Sequence, residues 1–178
     1  PELPVRALRA ADRDVQALYA GEDTAGAAMS MPDALRTALR LGDGAVAVGE
    51  VRGEEASVLY EAMRVGASDA TVLGTIHGEG AAGVRERVVA DLGVDRSSFA
   101  ATDLVVTCAE TAAGRQVTRV EEVTGDGEAA LFADEGEGAR PTGRVARGNS
   151  RAVDALARPG ETYSDVRAAV ETRASDFR

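Results

Sequence analysis

The chain has 178 residues, enough for one domain with a real core or for one core and a small appendage, and its apolar share of 44% argues against disorder. Its formal net charge of -10 argues against a nucleic-acid partner, which asks for a basic patch. No apolar stretch is long enough to span a bilayer and no signal peptide opens the chain, which begins with Pro1, so the sequence reads as starting inside a gene or as cut from a longer protein.

Residues 1–28 are mixed, with a helical piece ending near Tyr19 and Ala20 and then a Gly/Ala loop. Ser30-Met31-Pro32-Asp33 reads as a helix start, with a serine cap, an early proline and an acid three residues after the cap. Leu35 and Leu39 share a face of that helix and Gly42 ends it. The apolar run 45–48 between Gly44 and Gly49 fits a strand buried on both sides of a parallel sheet, although a turn of buried helix has the same pattern. A helix over 54–65 turns Val58, Leu59, Ala62 and Met63 inward and stops at Gly66. A strand over 71–76 follows, then a helix over 79–92 with Val84, Val88, Val89 and Leu92 on one side and Gly93 as its stop, then a third strand over 104–107. Alternating strands and helices with short connections predict an α/β fold with a mostly parallel sheet.

Beyond about residue 110 the pattern changes. Strands over 117–123 and 129–133 are joined by a turn with Asp126-Gly127, and a Gly/Arg-rich linker covers 136–148. Asn149 or Ser150 caps a helix that stops before Pro159-Gly160, and a final helix carries Tyr163, Val166, Val170, Ala174 and Phe177 on one stripe. The expected organisation is a core over 1–110 and a C-terminal appendage over 111–178, made of a strand hairpin, a linker and two helices.

In an open α/β sheet, ligands bind at the carboxyl ends of the strands. Glu50 follows the first strand and His77 follows the second, so a carboxylate and an imidazole reach one edge. The carboxylate could hold a magnesium-bound water or orient an attacking water, and the imidazole could meet a transferring phosphate. An exposed loop acid and a lone loop histidine fit the same spacing. Cys108 and His77 are the only cysteine and the only histidine, so the chain can build neither a disulfide nor a zinc site by itself. Cys108 follows an apolar run and reads as a core thiol. Gly78, Gly80 and Gly83 match G-x-G-x-x-G between a strand and a helix, the setting of a dinucleotide fingerprint, but Glu79 in that turn would repel a pyrophosphate.

Gly49-Glu50-Val51-Arg52-Gly53-Glu54-Glu55-Ala56, after an apolar strand, resembles the Walker B region of the secretion and type IV pilus ATPase superfamily. The run from Val58 to Ala67 resembles its archaeal branch, which includes archaellum and pilus motors. Gly74-Thr75-Ile76-His77-Gly78 resembles the family's histidine box, residues 35–40 the arginine-bearing helix before Walker B, and Pro1-Glu2-Leu3-Pro4 the tail of its acidic box. The likeness is strong over 1–104 and looser through Arg119–Val123, Arg147-Gly148-Asn149-Ser150 and the last helix.

The resemblance implies a partial RecA-like P-loop NTPase core that hydrolyses ATP with Mg2+ as a homo-hexameric ring. It implies a place on the cytoplasmic face of a membrane, without insertion, beside a polytopic platform protein, where the ring drives pilin assembly or export. It makes Glu50 the catalytic glutamate and, through water, a magnesium ligand, and puts His77 on the phosphate side. Arg36, Arg40 and Arg52, with Glu2 and Gly49, become nucleotide or subunit-interface residues. Arg36 and Arg40, one turn apart, repel unless something negative meets them, and solvated or salt-bridged arginines fit them equally.

The P-loop G-x-x-x-x-G-K-[ST] departs from this pattern by its absence. Twenty arginines account for all 20 basic residues, so the chain has no lysine to neutralise the β and γ phosphates. The chain alone is therefore expected to be inactive, either as a fragment of the motor or as a truncated paralogue that binds ring subunits. An acidic, lysine-free composition also fits a halophile's surface, as does GC-rich coding bias.

Overall fold

The computed structural model describes residues 3–21, 29–41, 44–65, 71–125, 127–136 and 138–175. The chain is mixed α/β and divides into two compact units. The first comprises Pro1–His77 and Glu86–Ala101, the second Gly78–Arg85 and Thr102–Arg178.

In the first unit, helix α1 (Val5–Ala10) is short and has no buried residue. Helix α2 (Met31–Arg40) starts as predicted. Ser30 Oγ accepts the amide of Asp33 at 3.2 Å and donates to the Asp33 carboxylate at 2.8 Å, so two polar groups at the helix start satisfy one another. Leu35 is buried and Leu39 half-buried, and the expected stop at Gly42 lies outside the described residues. Strands β1 (Val46–Val48) and β2 (Val72–Gly74) pair in parallel, Val46 with Val72 and Val48 with Gly74. Helix α3 (Glu55–Val65) lies between them in sequence, the crossover that a parallel pair needs.

The expectation of strands buried on both sides is corrected. Val48 is buried, but Ala47 and its partner Leu73 are exposed, Leu73 at 59%. Two strands offer two faces, and among the described residues the one that carries Ala47 and Leu73 is left open to solvent. The core of this unit gathers Leu35, Val51, Ala56, Leu59, Val88 and Phe99, with Tyr60 and Phe99 tilted against each other at 6.1 Å between ring centres. Helix α4 (Gly80–Glu86), whose residues up to Arg85 belong to the second unit, runs on in the chain into a wider π turn over Arg87–Asp91, and Gly93, at φ +70°, ends it where the sequence places the stop. Helix α5 (Arg96–Phe99) is one turn that the sequence pattern does not announce.

The second unit corrects the mostly parallel sheet. Strand β3 (Leu104–Thr111) is twice the predicted length and joins no parallel strand. It pairs antiparallel with β4 (Gly114–Thr124), which pairs with β5 (Gly127–Asp134), which pairs with β6 (Ala139–Pro141), in the order β3-β4-β5-β6. The cause is the tight turn at Thr111–Gly114, with Gly114 at φ +93°, because a two-residue turn joins only antiparallel neighbours. Strand β6 falls within the predicted linker.

Cys108, on edge strand β3, is exposed rather than a core thiol, since its sheet face is not covered there among the described residues. Helix α6 (Arg151–Ala155) is capped by Ser150, whose Oγ accepts the Val153 amide at 3.3 Å. Helix α7 (Tyr163–Ser175) buries Val166 and half-buries Tyr163, while Val170 and Ala174 of the predicted stripe are exposed and Phe177 lies outside the described residues.

Buried carboxylates hold this unit together. Glu122 is 0% exposed and accepts from Arg144 Nε at 2.6 Å, Ser150 Oγ at 2.9 Å and the Ala152 amide at 3.1 Å. Three donors from the 144–152 segment thus converge on one side chain of β4, and a charge removed from water is compensated. Nearby, Tyr163 donates to the Val145 carbonyl at 2.9 Å.

Candidate active site

Parallel pairing brings the carboxyl ends of β1 and β2 to the same edge, and the chain keeps that register past the strands. The Val51 amide donates to the Thr75 carbonyl at 2.8 Å, and the Thr75 hydroxyl donates to the Gly49 carbonyl. Gly74 allows the approach, because a β-carbon there would lie 3.2 Å from Val51 Cγ2. Glu50 and His77 therefore meet, with His77 Nε2 3.5 Å from Glu50 Oε1. The other carboxylate oxygen lies 3.6 Å from Arg52 Nη1. Glu50 is 27% exposed, against 73% for Arg52 and 92% for His77. The carboxylate is held near the sheet edge, while the two nitrogen-bearing side chains stand out toward solvent.

Arg52 also lines a surface cleft of about 640 Å³ together with Arg36. Arg36 bonds to Asp33 at 3.0 Å, a capping acid one turn earlier on α2, so part of its charge is offset locally. Arg40 is exposed, does not line that cleft, and has no ion pair among the described residues. Gly49 contributes its carbonyl to the Thr75 contact. Glu2 lies outside the described residues.

The arrangement therefore unites Glu50, His77 and Arg52, places Arg36 on a cleft shared with Arg52, and leaves Arg40 apart. Among the described residues no group of three or more His, Cys, Asp or Glu side chains could hold a metal ion. One half-buried carboxylate flanked by a guanidinium and an imidazole would hold a hydrated magnesium ion through water and not by direct ligation.

Two residues escaped the sequence reading. Glu55, at the start of α3, is buried and takes the amides of Arg52 at 2.7 Å and Gly53 at 2.9 Å on one oxygen. Burial pushes its pKa up. The amide hydrogen bonds from Arg52, Glu55 itself and Gly53, and the Arg52 charge, outweigh burial and leave the carboxyl below the usual glutamate value. An acid placed just after a glycine turn and opening a helix is the local signal that could have found it.

Glu121 takes the Ala81 amide at 2.8 Å, with Arg119 Nη1 3.7 Å from its other oxygen. It leaves no trace in the sequence near Ala81, because its partner is 40 residues away. Its position bears on the glycine fingerprint. The helix start at Gly80-Ala81, where a pyrophosphate would sit, already holds this chain's own carboxylate. The dinucleotide reading loses its phosphate site on that ground.

Comparison with known proteins gives one family. The family model described as type II/IV secretion system protein matches residues 9–143. That stretch is most of the chain and contains the Glu50, Arg52 and His77 cluster. No curated protein matches the chain.

Proposed function

Because the chain belongs to the type II/IV secretion system protein family, we propose that it supplies the hydrolytic edge of a RecA-like motor ATPase that couples ATP hydrolysis to pilin assembly or protein export. The observation that carries this reading is the convergence of Glu50, His77 and Arg52 at the carboxyl end of a parallel strand pair. Glu50 orients the attacking water and accepts its proton. His77, extended toward solvent 3.5 Å away, meets the oxygens of the transferring phosphate. Arg52 and Arg36, lining one cleft, face phosphate charge or the acids of a neighbouring ring subunit. Magnesium, when bound beside Glu50 through water, supplies charge neutralisation of the phosphates.

The exposed Leu73 supports a core larger than the described pair, because parallel sheets are covered on both faces. With no lysine anywhere, the phosphate cradle has to come from outside these 178 residues. The ring is a hexamer at the cytoplasmic face of a membrane platform protein. No helix among the described residues is long and apolar enough to cross a membrane.

The test is magnesium-dependent phosphate release. The chain alone is expected to release none, while the same chain in a polypeptide carrying a P-loop turns over and loses turnover on Glu50→Gln. Release by the chain alone, abolished by Glu50→Gln, would overturn the need for an outside cradle. Full turnover by Glu50→Gln in the P-loop-bearing protein would overturn the site.

A further inference from the structure

We propose that Glu55 is the positioning residue of this site, and that its buried carboxylate fixes the turn which sets Arg52 against Glu50. The catalytic consequence rests on the hydrolytic reading above, but the geometry does not. Arg52 is 73% exposed and its guanidinium stands 3.6 Å from Glu50, so the side chain alone has little to hold it there. Its backbone is held instead. One oxygen of Glu55 accepts both the Arg52 and the Gly53 amides, at 2.7 and 2.9 Å. These are charge-assisted bonds to the carboxylate of a residue that is only 4% exposed.

Gly53 completes the device, because a β-carbon there would lie 3.1 Å from the second Glu55 oxygen. The turn therefore closes down on the carboxylate. Glu55 heads α3, which buries Ala56, Leu59 and Tyr60, so the acceptor is anchored to the core while the turn it holds is not. On the other side, the Val51 amide is tied to the Thr75 carbonyl. Glu50 and Arg52 flank Val51, and the segment is pinned at Val51 by the sheet and at 52–53 by Glu55. The two side chains project from a short arc fixed at two points.

Amide hydrogen exchange on the isotope-labelled chain tests this, with the Val51 amide as internal reference. Glu55→Ala should speed exchange at Arg52 and Gly53 by at least about tenfold and leave Val51 unchanged. Glu55→Gln, whose carbonyl still accepts, should speed it less, and it keeps the test informative if the alanine variant fails to fold. The imidazole resonances of His77, the sole histidine, should shift in Glu55→Ala and in Arg52→Ala alike, with no further shift in the double variant.

Wild-type exchange at Arg52 and Gly53, equal acceleration at Val51, or an unmoved His77 signal would each overturn the proposal. In a P-loop-bearing polypeptide, Glu55→Ala should lower kcat by roughly tenfold with little change in KM, and Glu55→Gln should restore most of it. If the exchange result holds while Glu50→Gln leaves turnover intact, the hydrolytic reading falls and the positioning role stands.

Discussion

Replacing Glu122 by glutamine tests whether a buried ionised carboxylate organises the second unit. The carboxylate is 0% exposed and meets three donors, Arg144 Nε, Ser150 Oγ and the Ala152 amide. Burial raises its pKa. The Arg144 hydrogen bond, the Ala152 amide, the Ser150 hydroxyl and the Arg144 charge together outweigh burial, so the folded-state value lies below the ordinary 4.5. For a carboxyl whose folded value is depressed, the stabilisation is complete above the unfolded value and disappears as pH falls through the folded one.

Wild-type stability should therefore drop below about pH 4.5, and Glu122→Gln should lack that component. At pH 7 the variant turns an amide N–H2 toward donors and removes the counter-charge of Arg144. Arg144 keeps some water access, its side chain being 32% exposed, so the cost should fall at about 2–3 kcal/mol, below that of a fully buried broken pair. Urea denaturation followed by circular dichroism at pH 7 and pH 4, at fixed KCl, reads both effects. Glu55, Asp33 and Asp165 are depressed too and leave a residual slope in the variant. Equal losses of stability between the two pH values in wild type and variant would refute the reasoning.

Ser30→Ala removes the acceptor for the Asp33 amide and should cost about 1 kcal/mol, visible as a lower urea midpoint with an unchanged slope. Gly80→Ala places a β-carbon 3.0 Å from the Glu121 carboxylate at a residue with φ +69°, so a loss of about 1–3 kcal/mol is expected by thermal melting. NADH fluorescence titration should show no binding, because Glu121 occupies the Ala81 amide at the helix start. With 30 acids against 20 bases, circular dichroism should show loss of structure when KCl falls from molar to low levels, and an unchanged spectrum would remove the halophile reading.

Features decided by residues close in sequence were legible in advance. The Ser30 cap depends on Asp33, the Ser150 cap on Val153, and the stop after α4 on Gly93 alone. The meeting of Glu50 with His77 was also legible, since each directly follows a strand and the two strands are joined by a helical crossover. The β4–β5 hairpin was legible too, but the orientation of β3 was not, because an apolar run looks the same in parallel and antiparallel sheets. The deciding feature was the Ala112-Ala113 turn, which the shorter predicted strand never reached. Glu121 and Glu122 were invisible for another reason. Acids in an alternating strand read as solvent-facing, and only partners 22 to 40 residues away make them interior.

The two kinds of legibility follow a physical division within the site itself. Glu50 and His77 are placed by strand ends, which hydrophobic pattern predicts. Arg52 is placed by a turn, and a turn depends on which carboxylate accepts its amides. Arg36 is placed by a helix whose start is fixed by Ser30 and Asp33, and the same Asp33 then pairs with it. Each arginine of the cleft is thus tied to a nearby acid, Arg52 through its backbone amide to Glu55 and Arg36 through its guanidinium to Asp33. Arg40 has no such acid among the described residues and stands outside the cleft. A nearby acid partner therefore separates the arginines at the cleft from the one outside it, a distinction that the one-turn spacing of Arg36 and Arg40 could not make.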